Sequence, residues 1–381
     1  MKKILYIWQT EYPWDIRVEK FVKSLSESNE VHLLCRNTKK NKEEEFVEKD
    51  NYKIHRFPIR WSGKRYLSEP LHLNILWKIF IENKIKEIEP NLIIVRNLPL
   101  AKLAMTLGKK YKIDVIFDNS ENYPEFIRFF PRYDNKIFKL IDKFGYLEGL
   151  ENYCVNKSKV TINVIEENTD RIANKNVNRE KMMEIYNVPP INKNFTSVEH
   201  EGINLCYVGA LDDDKLRGTS DLIRAMALID NKYKLFILGD GKERNKLENL
   251  VKDLKLENKV FFEGNIKYSE IKNYVSKYDI GVVPHRRTAM TDTTMANKIY
   301  EYMSWRLGVI TTDAIPLKRF INENKVGVVY ESGNHIDLSE KIIGLCKCNI
   351  NEIKNNNYKL HIEKYNWENE STKLLSLIEE K

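Results

Sequence analysis

The stretch YVGALDDDKLRGTSDLI, Tyr207 to Ile223, reads as one strand, one loop and one helix. The apolar run ends at Gly209. A charged loop follows. Arg217-Gly218 then leads into a helical pattern whose N-cap candidates are Thr219 and Ser220. Leu222, Ile223, Met226 and Ile229 recur at helical spacing and supply the buried stripe. A second copy of this plan starts at Phe236, where FILGDGKERNKLENL ends its apolar run in Gly239-Asp240-Gly241 and continues as a charged helix with Leu247 and Leu250 inward. Strands that alternate with helices form parallel βαβ units.

Working outward, the same alternation covers the chain. Leu205 to Val208, Leu235 to Leu238, Val260 to Phe262, Ile280 to Val283, Val309 to Thr311 and Val328 to Tyr330 are expected strands. Upstream, Ile4 to Trp8, Val31 to Cys35, Leu92 to Val95, Val115 to Phe117 and Val160 to Val164 form a separate series. Val18, Phe21, Val22 and Leu25 mark one helical face between the first two. Continuous apolar runs suit strands covered on both faces. The pattern breaks at Pro189-Pro190, where PPINKNFTSVEHEG reads as an interdomain linker. The expected plan is a domain over 1–190, a second over 200–360, and a terminal helix over 364–381 that crosses back onto the first. Both domains are expected to be doubly wound and Rossmann-like, facing across a cleft.

Composition agrees with a folded chain. There are 381 residues, 42% hydrophobic and 31% charged, with a formal net charge of +8. That is globular composition with enough chain for two cores. The positive excess is diffuse, no nucleic-acid motif accompanies it, and nucleic acid is not an expected partner. The cysteines are Cys35, Cys154, Cys206, Cys346 and Cys348. An odd count without a C-x-x-C pair points to buried thiols in a reducing compartment. The opening MKKILYIWQT is too short in its apolar part for a signal-peptide core, and no stretch approaches 18 apolar residues. The expectation is a cytoplasmic protein, with peripheral contact at the inner face of the cell membrane as an added expectation.

Three places carry candidate chemistry. A strand, a Gly turn and a helix start can hold a phosphate through unpaired N–H groups and the helix dipole, and Arg217 adds fork geometry. Asp212-Asp213-Asp214 invites a metal clamp, but Lys215 and Arg217 stand beside it and a solvated turn is preferred; no metal and no cofactor is expected. In DTTMANKIYEYM, Asp292 to Met303, a helix capped by Asp292, Thr293 or Thr294 would bury Met295, Ile299, Tyr302 and Met303 and place Lys298 and Glu301 together on the other face. His285-Arg286 follows a strand end, and His285 either contacts phosphate or is an exposed loop residue. From Phe126 to Leu147 basic and aromatic residues interleave. Ile137, Phe138, Ile141 and Phe144 make a stripe flanked by Lys136, Lys139 and Lys143, with Arg128 and Arg132 ahead. That segment either docks on an anionic membrane or packs its stripe in the core.

Read in order, these segments resemble the retaining family 4 glycosyltransferases, which have the GT-B fold. Asp15-Ile16-Arg17-Val18 is similar to the family's D-x-R-V, FDNSENYPE (Phe117 to Glu125) to its Y-D-x-H-E segment, and NKIYEYM to its donor-site helix. The resemblance implies a UDP- or GDP-sugar donor and a glycan or lipid-linked acceptor, with retention at the anomeric carbon, in cell-surface polysaccharide or glycolipid synthesis. It implies catalytic roles for Arg217 and Lys298 at the donor diphosphate and for Glu301 at the ribose. Gly209, Lys215, Gly239, Asp240, Gly241, His285, Thr293 and Asn297 would bind donor. Asp15, Arg17 and Glu121 would line the acceptor side. Departures stand at Thr293, Ala210 and Ser120, where the family has Glu, Arg and His. They keep open a nucleotide-sugar-binding scaffold homologue and, on the same fold, an epimerase.

Overall fold

The computed structural model describes residues 1–379 apart from 14, 63–67, 130–138, 141, 176, 194 and 268–269. The chain divides into two compact units, Met1–Tyr186 with Ser371–Lys381, and Asn187–Glu370.

In the first unit the strands are β1 (Lys3–Ile7), β2 (Glu30–Cys35), β3 (Glu44–Val47), β4 (Tyr52–Arg56), β5 (Leu92–Arg96), β6 (Asp114–Asn119), β7 (Val160–Asn163) and β8 (Met182–Glu184). They form one sheet in the order β3-β4-β2-β1-β5-β6-β7-β8. Every pairing is parallel except β3 with β4. The sequence pattern overlooks β3, β4 and β8, because their exposed or polar positions interrupt the apolar run. The central strands are apolar throughout, since helices such as Ile16–Ser26 and Leu98–Tyr111 cover them. Val18, Phe21, Val22 and Leu25 are all fully buried, as their spacing requires. Chain order reverses at β1, which has β2 on one side and β5 on the other. That is where such sheets open a crevice beyond the carboxyl ends of their strands.

The second unit holds β9 (Ile203–Val208), β10 (Tyr233–Leu238), β11 (Val260–Gly264), β12 (Ile280–Val283), β13 (Gly308–Thr312) and β14 (Gly327–Tyr330), in the order β11-β10-β9-β12-β13-β14. All pairings are parallel. The six strands expected from the apolar runs are all present, and the sheet reverses at β9. The turn after β10 rests on the turn after β9. At Gly239 the backbone has φ +149° and a side chain would start 1.9 Å from the Gly209 carbonyl oxygen. Only glycine fits there.

The helix starts differ from expectation. Helix Thr219–Met226 is preceded by Gly218 at φ +64°, and neither Thr219 nor Ser220 caps it. Asp214 does so instead, accepting the Ser220 N–H at 2.8 Å. Asp213 accepts the Leu216 N–H, and Asp212 the Lys242 N–H. The acidic run is therefore occupied by backbone donors. Likewise the helix of DTTMANKIYEYM starts only at Lys298, after Asn297. The Thr293 and Thr294 hydroxyls bond back to Ala289 and Met290 carbonyls, and Asp292 pairs with Arg287. Ion pairing and back-bonding remove all three as caps.

Burial pushes the Cys35 and Cys154 thiols up to about 12, which keeps them protonated and inert. In the basic segment, residues 132, 136–138 and 141 lie outside those described. Phe144 is 84% exposed, against the buried stripe expected of it. Helices are present over Tyr123–Phe129 and Tyr146–Lys157. Among the described residues no helix is long and apolar enough to cross a membrane.

His32 and His55 stack between β2 and β4, with ring nitrogens 2.9 Å apart. Burial first, then the Lys84 charge and His32, push His55 down to about 4, against an opposing pull from Glu44. Burial also lowers His32 despite Glu30 beside it. An unfolded histidine takes up its proton near pH 6.5, so between there and pH 4 the unfolded chain binds more protons. Stability is therefore full above pH 6.5 and falls as pH drops toward 4, by about 3 kcal/mol from His55. Urea unfolding from pH 7.5 to 4.5 should show this slope, and His55→Gln should flatten it.

Candidate functional site

In the second unit the residues beyond β9 and β12 converge. Short helix Asp214–Arg217 follows β9 and ends at Gly218. At Gly218 a side chain would lie 2.2 Å from the Pro284 carbonyl oxygen, so glycine lets this loop close onto the end of β12. Arg217 thereby reaches His285, its Nη1 donating to Nε2 at 3.0 Å. This bond leaves the proton of the neutral ring on Nδ1. Burial, then the Arg217 charge, then the Lys298 charge, hold His285 down at about 3. Both cations therefore act on one half-buried imidazole, which is neutral at neutral pH. His285 is not the exposed loop residue that was one expectation.

Among the described residues no carboxylate lies within ion-pair distance of Arg217. Neighbouring cations are paired. Arg286 forms a bidentate contact with Asp221 at 3.0 Å for each bond, and Arg287 pairs with Asp292 and Asp313. Lys298 pairs with Glu301 at 2.7 Å, one helical turn along. The same helix is anchored by buried Tyr302, whose hydroxyl accepts the Val208 N–H and donates to the Val282 carbonyl. That pins Glu301 and Lys298 to the ends of β9 and β12.

The remaining donor-side candidates divide. Asn297 is half-buried at the helix start and does not cap it. Thr293 sits nearby, its hydroxyl donating to Ala289 at 3.0 Å. Lys215 is exposed. Asp240 is exposed and turned to its own turn, accepting from Gly241 N–H at 2.7 Å. Gly209, Gly239 and Gly241 pack turn on turn, which accounts for their glycines within the chain itself. The helix start at Thr219 is taken by Asp214, so fixed positive charge falls to Arg217 and Lys298.

In the first unit, Asp15 caps helix Ile16–Ser26 by accepting from the Arg17 and Val18 N–H groups, and pairs with Arg96 at 2.6 Å. Asp15 and Glu121 line a cavity of about 750 Å³ beyond β1 and β5. Arg17 does not line it and is corrected here. It is 1% exposed, because it turns inward to Asp118 at 2.8 Å and to the Ile185 carbonyl at 2.9 Å. Ser120 bonds the Asn97 side chain at 2.9 Å. Arg36, Arg96 and Gln9 at this cavity are absent from the expected site. Each follows or ends an apolar strand at the sheet's reversal, which is the signal that could have found them.

Residues 191–366 match the family described as Glycosyl transferases group 1. The matched residues include Arg217, His285, Lys298 and Glu301. An uncharacterised glycosyltransferase of Methanocaldococcus jannaschii is 25% identical over 244 residues, 62% of this chain. The aligned stretch spans about half of that relative, 52% of its length. Among solved structures, sucrose-phosphate synthase from Thermosynechococcus elongatus superposes with a TM-score of 0.81 at 15% identity, over 100% of this chain and 98% of that one. HepE of Anabaena, solved in complex with UDP, gives 0.74 at 13% identity over 100% of both chains. The chain thus has the GT-B fold, with two α/β units built on mainly parallel sheets.

Proposed function

We propose that the chain is a retaining glycosyltransferase of the family 4 type, which takes a sugar from a UDP- or GDP-sugar and moves it to a glycan or lipid-linked acceptor. The observation that carries this is the Arg217–His285–Lys298 arrangement. Two cations act on one neutral imidazole, and among the described residues one of them, Arg217, has no carboxylate within ion-pair distance. Such a seat fits the diphosphate of a nucleotide sugar. When the sugar leaves, charge builds on the diphosphate, and Arg217 and Lys298 would stabilise it in place. Their charge serves the role that a metal has in other transferases, so the reaction is proposed to need none. His285 holds the Arg217 fork in position. Glu301 would accept from ribose hydroxyls, with Lys298 bridging it to phosphate. HepE, a neighbour in fold, binds UDP, which supports a uridine nucleotide as the first to try. A role in cell-surface polysaccharide or glycolipid synthesis, at the inner face of the membrane, belongs to the same proposal.

A thermal-shift series with UDP, GDP, ADP and their sugars, without metal, tests it. At a hundredfold excess over Kd one nucleotide should add about 2.7 kcal/mol of stability, a rise of several degrees. Glu301→Ala should abolish most of that rise. No shift with any nucleotide would defeat the proposal.

A further inference from the structure

Arg217 ends a helix of four residues, Asp214–Arg217. So short a helix does not hold its own shape, and the placement of Arg217 depends on what grips the segment around it. Arg286 grips it on both sides. Its backbone N–H donates to the Leu216 carbonyl at 2.8 Å, one residue before Arg217. Its guanidinium reaches the first turn of helix Thr219–Met226, where Nε and Nη2 donate to the two Asp221 carboxylate oxygens at 3.0 Å each. Glycine at 218 lets the loop come down onto this residue, since a side chain there would start 3.6 Å from the Arg286 Cγ. The anchor is itself fixed from behind. Thr291 donates its hydroxyl to the Arg286 carbonyl at 3.0 Å, and the fully buried Thr312 donates to the His285 carbonyl at 2.6 Å.

The contact with Asp221 does more than neutralise charge. Asp221 is buried, at 4% exposure, so its carboxylate stands in one place and a bidentate fork takes its orientation from it. Arg224 lies 3.8 Å from the same carboxylate and supplies a second cation. It sits on the helix that carries Asp221, so it cannot tie that helix to the end of β12. An isolated ion pair with one partner well exposed contributes little to stability. What Arg286 adds that Arg224 does not is a geometric link from the end of β12 to both flanks of Arg217.

We propose that Arg286 is a positioning residue for sugar transfer: with Asp221 as its fixed partner, it sets Arg217 against His285 and aims the remaining Arg217 N–H groups at the donor diphosphate. This rests on the transferase reading and adds to it the pair that orients Arg217.

Kinetics and histidine NMR of Arg286→Lys and Asp221→Asn, each alone and combined with Arg217→Ala, test the inference in the full chain. A lysine keeps the charge and loses the fork. A misplacement of about 1 Å costs up to about a hundredfold in rate, so each single variant should lower kcat about ten- to a hundredfold. KM should change less than about threefold, because the loss falls on the transition state. With Arg217→Ala already present, the same changes should alter kcat by less than about twofold, since residues that act through one another are not additive. A further fall of about tenfold in that background overturns the proposal, because Arg286 would then act independently of Arg217. Unchanged kcat in both single variants overturns it as well. In the unaltered chain labelled with 15N-histidine, the His285 proton should sit on Nδ1, with Nε2 accepting from Arg217. Both single variants should release Nε2 and give mixed tautomers. If Arg286→Lys does not fold, Asp221→Asn reads the same clamp from its other end. If the unaltered chain turns over no nucleotide sugar, the transferase reading fails, and the His285 tautomer still decides the clamp: an Nδ1–H form retained in both variants sinks it.

Discussion

Arg217→Ala is expected to lower turnover of the stabilising nucleotide sugar by about 100- to 1000-fold, the loss seen when one preorganised charge donor is removed from a leaving group. Arg217 lies at the C-terminus of a four-residue helix and is half-buried, so no core is disturbed. Its removal frees the His285 Nε2, which was bonded at 3.0 Å, and takes away one of the two charges that, after burial, lower that ring's proton affinity. The His285 protonation midpoint should consequently rise toward the ordinary range, which a pH titration by NMR would follow. Arg217→Lys should recover little, since an ammonium cannot donate as a planar fork to both His285 and a phosphate. Steady-state kinetics with the nucleotide sugar chosen by thermal shift decide the matter. Equal kcat in Arg217→Ala and the unaltered chain would remove Arg217 from the donor site.

The second large effect is on stability. Arg17→Ala should cost about 3–5 kcal/mol, because it strands the Asp118 carboxylate without its cation. Asp118 is 0% exposed, and beyond Arg17 it accepts a hydrogen bond from Tyr6 at 3.2 Å. The Ile185 carbonyl loses its donor as well. Replacing both partners, as Arg17→Met with Asp118→Asn, should cost less than Arg17→Ala alone, because no uncompensated charge remains. Urea unfolding of the three proteins measures it. A loss under about 1 kcal/mol in Arg17→Ala would contradict the buried-pair account.

Arg17 also illustrates where reading the chain reaches its limit. The motif Asp15-Ile16-Arg17-Val18 marks a helix start at a strand end, and that much is local. Whether the guanidinium faces a ligand or the core depends on Asp118, 101 residues away. Nothing in the spacing announces that partner. The same holds for Asp214. Its neighbours Thr219 and Ser220 are better local caps by type, yet the αL turn at Gly218 swings the Asp214 carboxylate onto the helix start.

By contrast, much of the architecture follows from the chain alone. Apolar runs of four to six residues, bounded by glycine and charge, place all six strands of the second unit, because strands covered on both faces must be apolar throughout. The edge strands β3 and β8, and β4 next to β3, escape that rule, since exposed or polar positions interrupt their apolar runs. Side chains on one helix are also legible, and Lys298 with Glu301 at i,i+3 meet as their spacing requires. What only the tertiary structure decided is which distant groups share a site and which are already satisfied. It brought Arg217 to His285 within reach of the Lys298 charge, left Arg217, among the described residues, without a carboxylate, and closed Arg17 onto Asp118. Periodicity reports which face of an element is buried. Pairing across a sheet reversal depends on long-range packing, and hydrogen-bond satisfaction is a property of the folded whole.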